Sequence, residues 1–316
     1  MLRTAICDLF GIKYPIIQGG MAHVATAELV SAVSNAGGLG IIGAGASEPD
    51  WVREQIHRTR EMTDKPFGVN ILLISPFAKQ VIEVVLEEKV AVVTTGAGNP
   101  GPLVPGFKEA GIKVMPVVAS IALARRLERA GVDAFVAEGM ESGGEIGQIT
   151  TMALVPQVVD CVKVPVVAAG GFADGRGLVA ALALGAQGVQ MGTRFVCTDE
   201  CIAHPAYKQA MVEASDRATI ITGQSTGYPM RCLENKLTRA FIEKEKEDIS
   251  MEEIMEFGVG KVRLGLIEGD LEWGTLLAGQ ICGMIKDIRP VKAIIDDMVA
   301  SAEAIISRLA KDTTGG

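Results

Sequence analysis

A chain of 316 residues, 48% of them hydrophobic, can bury a sizeable core and fits one large domain or two smaller ones. Its formal net charge of −8 argues against nucleic acid as a main partner, because phosphate backbones need a basic footprint. No apolar run approaches the ~20 residues of a membrane helix, and the first residues, with Asp8 inside a short apolar stretch, do not read as a secretory signal; no membrane partner and a cytoplasmic location are expected.

From residue 14 to about 196 one pattern repeats. A short apolar run ends in a small or amide residue, and an amphipathic segment follows. The runs cover 14–18, 39–42, 66–72, 91–95, 113–118, 134–137, 164–169 and 188–191. Between them, 26–35, 48–61, 78–88, 121–130 and 175–184 carry helical periodicity, as where Val81, Val84 and Val85 share a face opposite Glu83, Glu87 and Glu88. Val/Ile runs suit strands buried on both faces, and alternation with helices implies parallel pairing. Eight such units predict an α/β fold, a (β/α)8 TIM barrel; an open, doubly wound sheet is the alternative. Two G-x-G-x-x-G strings, at 38–43 and 96–101, do not favour that alternative. The first runs through an expected strand, and the second is crowded by Pro100 and Pro102, with no acidic residue about 20 positions on.

Past Phe195 the rhythm changes. Residues 197–270 are richer in charge and helical pattern and read as a mainly helical lid. The expected division is therefore a barrel of 1–196 and 271–316 with a substrate-binding insertion of 197–270. The apolar positions from Ile294 to Ile305 predict an amphipathic closing helix. Six cysteines, at 7, 161, 197, 201, 232 and 282, form no CxxC pair and read as free thiols packed as small apolar groups. Cys197, Cys201 and His204 recur along one helical face, but no fourth ligand lies nearby in sequence. Core packing, not a metal site, is the expectation.

In such a barrel the active site lies at the C-terminal strand ends, and phosphate often binds after strands seven and eight. Those turns, 169–175 and 191–194, are glycine-rich, and the helix opening at Gly175 offers a positive end to an anion. Gln18-Gly-Gly-Met-Ala after the first strand, Asn70 at the third and Val118-Ala-Ser after the fifth suit a flat heteroaromatic ring lying against backbone. Phosphate at one end and a flat ring at the other describe FMN.

The strings "GGMA" at 19–22, "GGLGIIG" at 37–43, "DKPFGVNI" at 64–71, "TTGAGNP" at 94–100, "AEGMESGG" at 137–144, "AAGGFADG" at 168–175 and "QMGTRF" at 190–195 carry a more specific signal. Together with "HPAYK" at 204–208 and "GDLEWGTLLAGQ" at 269–280, they resemble the FMN-dependent enoyl-acyl-carrier-protein reductases, relatives of the nitronate monooxygenases, over nearly the whole chain. The resemblance implies an FMN-binding barrel, NADH or NADPH as reductant, and an enoyl thioester substrate, on acyl carrier protein or free. It also implies a homodimer. Carried over, the FMN contacts are Gly20, Met21, Ala22, Asn70, Glu138, Gly144, Gly171, Gln190, Gly192 and Thr193.

One position departs from that pattern. The family's loop after the sixth strand reads Gly-Gly-His-Ile-Gly, and here the histidine position is Glu145. Of the three histidines, His57 falls in a helical stretch and His204 in the lid, which leaves His23 as the possible substitute. A free glutamate, with a pKa near 4.3, is mostly ionised, is a weak proton donor, and repels a developing enolate. Burial, or like charge from Glu138 or Glu141, would raise that pKa; Arg194 would lower it. The alternatives are a nitronate monooxygenase and a flavin-binding homologue with altered activity. In the lid, Arg231, Lys236, Arg239, Lys244 and Lys246 are candidates for docking an acidic carrier, but interleaved glutamates favour an ordinary solvated helix.

Overall fold

The structure, a computed structural model, describes residues 2–247 and 250–314. Its strands are β1 (Ile16–Gln18), β2 (Gly40–Gly43), β3 (Phe67–Leu72), β4 (Val92–Gly96), β5 (Lys113–Val114), β6 (Val117–Val118), β7 (Phe135–Glu138), β8 (Gly144–Glu145), β9 (Val166–Ala169), β10 (Val189–Met191), β11 (Thr219–Thr222) and β12 (Met230–Leu233). Two parallel sheets, β2-β3-β4-β5 and β1-β10-β9-β7-β6, form the wall. They join at the parallel bridge between Ile17 and Leu39 and across Met115-Pro116. There the Met115 N–H donates to Val93 O at 2.8 Å, and the Val136 N–H donates to Pro116 O at 3.0 Å. The fifth expected run is thus one barrel strand broken into β5 and β6, because proline has no N–H to give the ladder. The closed circuit is a TIM barrel, not an open sheet.

Helices Ala27–Asn35, Pro49–Met62, Ala78–Glu88, Ile121–Ala130 and Gly175–Ala183 lie within a residue or so of the expected spans. Glycines inside β2 follow from close backbone packing: a Cβ on Gly40 would lie 2.2 Å from Val30 O in helix Ala27–Asn35, and one on Gly43 would lie 2.3 Å from Met21 O in the loop after β1. Only hydrogen fits there.

Two cores result. One lies between strands and helices. The other fills the barrel interior with Ile17, Leu39, Ile41, Met115, Val136 and Val167, and is continued by Ile6, Cys7, Phe10 and Ile12. Three of those last four belong to helix Ala5–Phe10, which the strand–helix rhythm did not reveal. It contributes to the interior core, and the loops of interest lie after the strands' C-terminal ends.

The segment after β10 is not helical throughout. Helices Pro205–Val212, Lys236–Lys244, Met251–Gly258 and Lys261–Leu266 are joined by an antiparallel hairpin, β11–β12. Its second strand pairs antiparallel with β8, matching Met230 to Glu145 and Arg231 to Gly144. Short β-branched runs such as Thr-Ile-Ile-Thr are a strand signal, but the charged helices around this one obscured it. The C-terminal helix Val291–Thr314 packs so closely on Gly175 that a Cβ there would lie 2.6 Å from Met298 O. Among the described residues no helix is long and apolar enough to cross a membrane.

Candidate functional site

The expected contact residues converge at the C-terminal mouth. Gly20, Met21 and Ala22 follow β1. A Cβ on Gly20 would lie 2.2 Å from the Asn70 Cβ, and one on Gly192, after β10, would lie 3.4 Å from the Met21 Sδ. Asn70 sits inside β3, two residues before its end, and its Nδ2 donates to Thr94 Oγ1 on β4 at 2.9 Å. Gln190 on β10 is buried under Gly19. Gln18, buried beside it, exchanges two 3.1 Å bonds with the Ile41 backbone, so it ties β1 to β2 instead of facing a ligand.

The turns after β9 and β10 expose backbone donors. Gly170 and Gly171 both have φ +85°, a conformation that favours glycine. The N–H groups of Gly20, Met21, Gly171, Gly192 and Thr193 donate to no protein acceptor among the described residues. This donor set, with glycines that keep Cβ atoms out of the way, fits a phosphate and a flat ring.

Two expectations about charge here are corrected. The helix opening at Gly175 does not offer its end to an anion, because the Asp174 carboxylate already accepts from Arg176 N at 2.9 Å and Gly177 N at 3.4 Å. Arg194 does not reach Glu145. It is buried, bonds the carbonyls of Cys197 and Asp287 at 3.2 Å each, and pairs with the Asp287 carboxylate at 3.0 Å.

The loop after β7 answers why glutamate follows a glycine pair. Gly143 abuts the backbone of Ala278 and Gly279, where a Cβ would lie 2.7 Å from both Ala278 C and Gly279 N. Gly144 turns with φ +80° into β8, and β8 presents Glu145 beside the lid hairpin. Glu141 is tied down: both oxygens accept from Thr151 N, and one from Thr151 Oγ1 at 2.8 Å. Glu138, at the end of β7, is pushed up to about 7 by burial and then by the charge of Glu145, with the Ser142 hydroxyl opposing part of the rise. Glu145 is raised too, by partial desolvation of its carboxyl, although the residue as a whole stays exposed. No basic group offsets either shift. Ser142, buried beside Glu138, is the one hydroxyl among the described residues that acts on its carboxyl.

His23 has φ +68°, and its pKa is lowered by burial and then by the Arg263 charge. It makes no hydrogen bond to Glu145 among the described residues. His57 is exposed, with Nε2 2.9 Å from Glu88 Oε1. His204 Nδ1 accepts from Ala206 N at 3.1 Å and so caps helix Pro205–Val212. Burial pushes the Cys197 thiol up to about 12 and Cys201 up to about 11, so both stay protonated. The lid cations are engaged: Lys236 with Glu272, Arg239 with Glu234, Lys246 with Glu243, and Lys244 over the Phe257 ring.

Sequence reasoning read Arg231 as a solvated docking cation, where the structure buries it, and it missed Ser142 and the Thr193–Gly279 contact. Arg231 is buried on β12, and its Nε donates to Met140 O at 3.0 Å, tying the hairpin to the loop after β7. Gly279 N–H donates to Thr193 Oγ1 at 2.9 Å, and Gln280 N–H donates to Glu141 O at 2.9 Å. One backbone strap thus joins the glycine turns to the acid loop. A lone arginine inside a β run was the available signal for the first; nothing local signals the second.

A family model described as nitronate monooxygenase matches residues 3–81 and 74–301. The chain belongs to the nitronate monooxygenase family. As a member of that family it is an oxidoreductase, and the family is FMN-dependent. The solved structure of FabK from Thermotoga maritima is 51% identical, with a TM-score of 0.96, and the match covers 98% of this chain and 99% of that one. Nitroalkane oxidase from Streptomyces ansochromogenes is 28% identical with a TM-score of 0.87, covering 97% and 100%. A probable nitronate monooxygenase of Staphylococcus saprophyticus is 35% identical over 97% of this chain and 99% of its own length. A Mycobacterium tuberculosis (3aS,4S,5R,7aS)-5-hydroxy-7a-methyl-1-oxo-octahydro-1H-indene-4-carboxyl-CoA dehydrogenase is 34% identical over 95% and 96%.

Proposed function

We propose that this family member reduces the 2,3-double bond of an enoyl thioester at the expense of NADH or NADPH, with FMN held by the glycine turns and Glu145 in place of the family's histidine. The observation that carries the reading is the 51% identity to FabK across 98% of the chain, which includes the enoyl-reductase motifs. Gly171, Gly192 and Thr193 would hold the phosphate through backbone N–H groups, while Gly20, Met21, Ala22 and Asn70 would line the ring. FMN, when bound, supplies hydride acceptance and donation. Saturation of the double bond adds hydride at the β-carbon and a proton at the α-carbon. The Glu145 carboxyl is the donor of that proton. Its pKa is raised by the part of its carboxyl withdrawn from water, which is the direction a proton donor needs.

Nitronate oxidation is the second reading, and the family model and the Staphylococcus relative favour it. An ionised carboxylate at Glu145 would repel an anionic nitronate, and its raised pKa eases that repulsion. The test is anaerobic. NADH should bleach the flavin, and an enoyl thioester should restore its absorbance. Bleaching that only oxygen or a nitronate reverses selects the second reading.

A further inference from the structure

A groove of ≈ 620 Å³ lies in the lid between β11, helix Lys236–Lys244 and the turn joining β11 to β12. None of the proposed flavin-contact residues lines it. Arg231 does, and it is 4% exposed. Its Nε and Nη1 are spent on Met140 O and Thr219 Oγ1, at 3.0 and 3.2 Å. Its Nη2 makes no hydrogen bond among the described residues and is not sealed from solvent. Behind it the Glu141 charge is felt at a distance, but its oxygens bond Thr151 and form no direct pair with the guanidinium among the described residues. A buried guanidinium with a free N–H and no paired carboxylate is costly unless an anion completes it.

The rest of the wall suits such an anion. Ile221 and Ile242 offer an apolar surface, and the Lys246 ammonium stands at the rim. Lys246 is held only by an exposed pair with Glu243, which exchanges readily. The one acid in the wall, Glu245, is turned into the loop, where it accepts from Gly223 N, Ser225 N and Ser225 Oγ. Across the β12–β8 pairing Arg231 lies opposite Gly144 and Met230 opposite Glu145, so the pleat turns the Arg231 side chain to the face of the ribbon away from Glu145.

We infer that this groove docks the phosphate group of a co-substrate, on the face of the β8–β12 ribbon opposite to Glu145. Every co-substrate of the proposed reaction carries such a group: the nicotinamide dinucleotide has its diphosphate, and the thioester arm has the phosphate of pantetheine or coenzyme A. Only the choice of ligand rests on the enoyl-thioester reading; the site itself rests on Arg231.

The test is equilibrium binding to the flavin-loaded protein, with coenzyme A, unphosphorylated pantetheine and NADH as probes, for the wild type and for Lys246→Glu and Arg231→Gln. Both variants should weaken coenzyme A or NADH about 10-fold or more and leave pantetheine unchanged. Whichever probe loses affinity names the source of the phosphate. Lys246 is exposed, so its variant keeps the test intact if Arg231→Gln fails to fold. Binding of coenzyme A and NADH that is unaffected by Lys246→Glu, or absent in the wild type, overturns the inference. Because binding needs no turnover, a protein that reduces no thioester yet loses phosphate-dependent binding would sink the proposed function and keep the groove.

Discussion

The glycine turns after β9 and β10 and the loop after β7 stand at the same end of one barrel, yet they use their polar groups in opposite ways. The turns leave backbone N–H groups open and send their charged side chains elsewhere, Asp174 onto its own helix and Arg194 onto Asp287. The loop after β7 gathers Glu138 and Glu145 with no cation to offset them, and both are raised. One end of the mouth is therefore built to attract negative charge and the other to retain protons. A reductase that binds a phosphorylated cofactor and protonates a carbanion needs both, kept apart.

The sharpest way to break this polarity is to put an acid at the donor end. Gly171→Asp forces a side chain into φ +85° and sets a carboxylate where phosphate is expected. The variant should purify without flavin, a loss of about 1,000-fold or more in affinity. A yellow, fully loaded protein would remove the glycine turns from the FMN site.

The next effect tests the acid end. Glu145→Gln should leave bleaching by NADH intact while slowing recovery with thioester roughly 100- to 10,000-fold, and stopped-flow absorbance separates the two. The protonated carboxyl is the competent form, so the recovery rate should be full at low pH and fall as pH rises through a pKa above the ordinary carboxylate range. Recovery as fast as wild type would assign the proton to another group.

Glu138 gives a smaller effect, read in stability. With 4.5 as its ordinary value and about 7 in the fold, its contribution is fully present below the lower value and is lost as pH rises through the upper one. The loss is at most about 3 kcal/mol, because the side chain is only partly shielded. Flavin-free wild type should lose urea resistance between about pH 5 and pH 8, and Glu138→Gln should lose less. Parallel slopes for the two proteins would show that Glu138 ionises freely.

What the sequence made legible follows from the range of the forces. β2 and β9 are short apolar runs buried along their whole length, so their burial on both faces is written in their composition, and the glycine turns are read from neighbouring residues. The Pro116 break, the helix Ala5–Phe10 at the interior core and the β11–β12 hairpin depend on partners far along the chain. Arg194 shows the limit most clearly. Sequence adjacency put it beside the site, whereas its acidic partner is Asp287, 93 positions away. Gly143 is the same case, a glycine required by Ala278 and Gly279.

That long-range contact also carries the mildest prediction, and it bears on how the two ends communicate. Thr193 belongs to the donor end, and its Oγ1 receives the Gly279 N–H, while Gln280 next along the strap binds Glu141 O in the acid loop. Thr193→Val keeps the shape and leaves the Gly279 N–H buried without an acceptor, which costs about 1–2 kcal/mol. Thr193→Ser keeps the acceptor and should cost less, since it loses only a methyl group. If the strap does more than hold the lid, the valine variant should also alter the pH at which recovery fails, because slack at Gly279 reaches Glu141 and the loop bearing Glu145. A stability loss with an unmoved pH profile would make the strap a clamp alone, and the two ends of the mouth would then act independently.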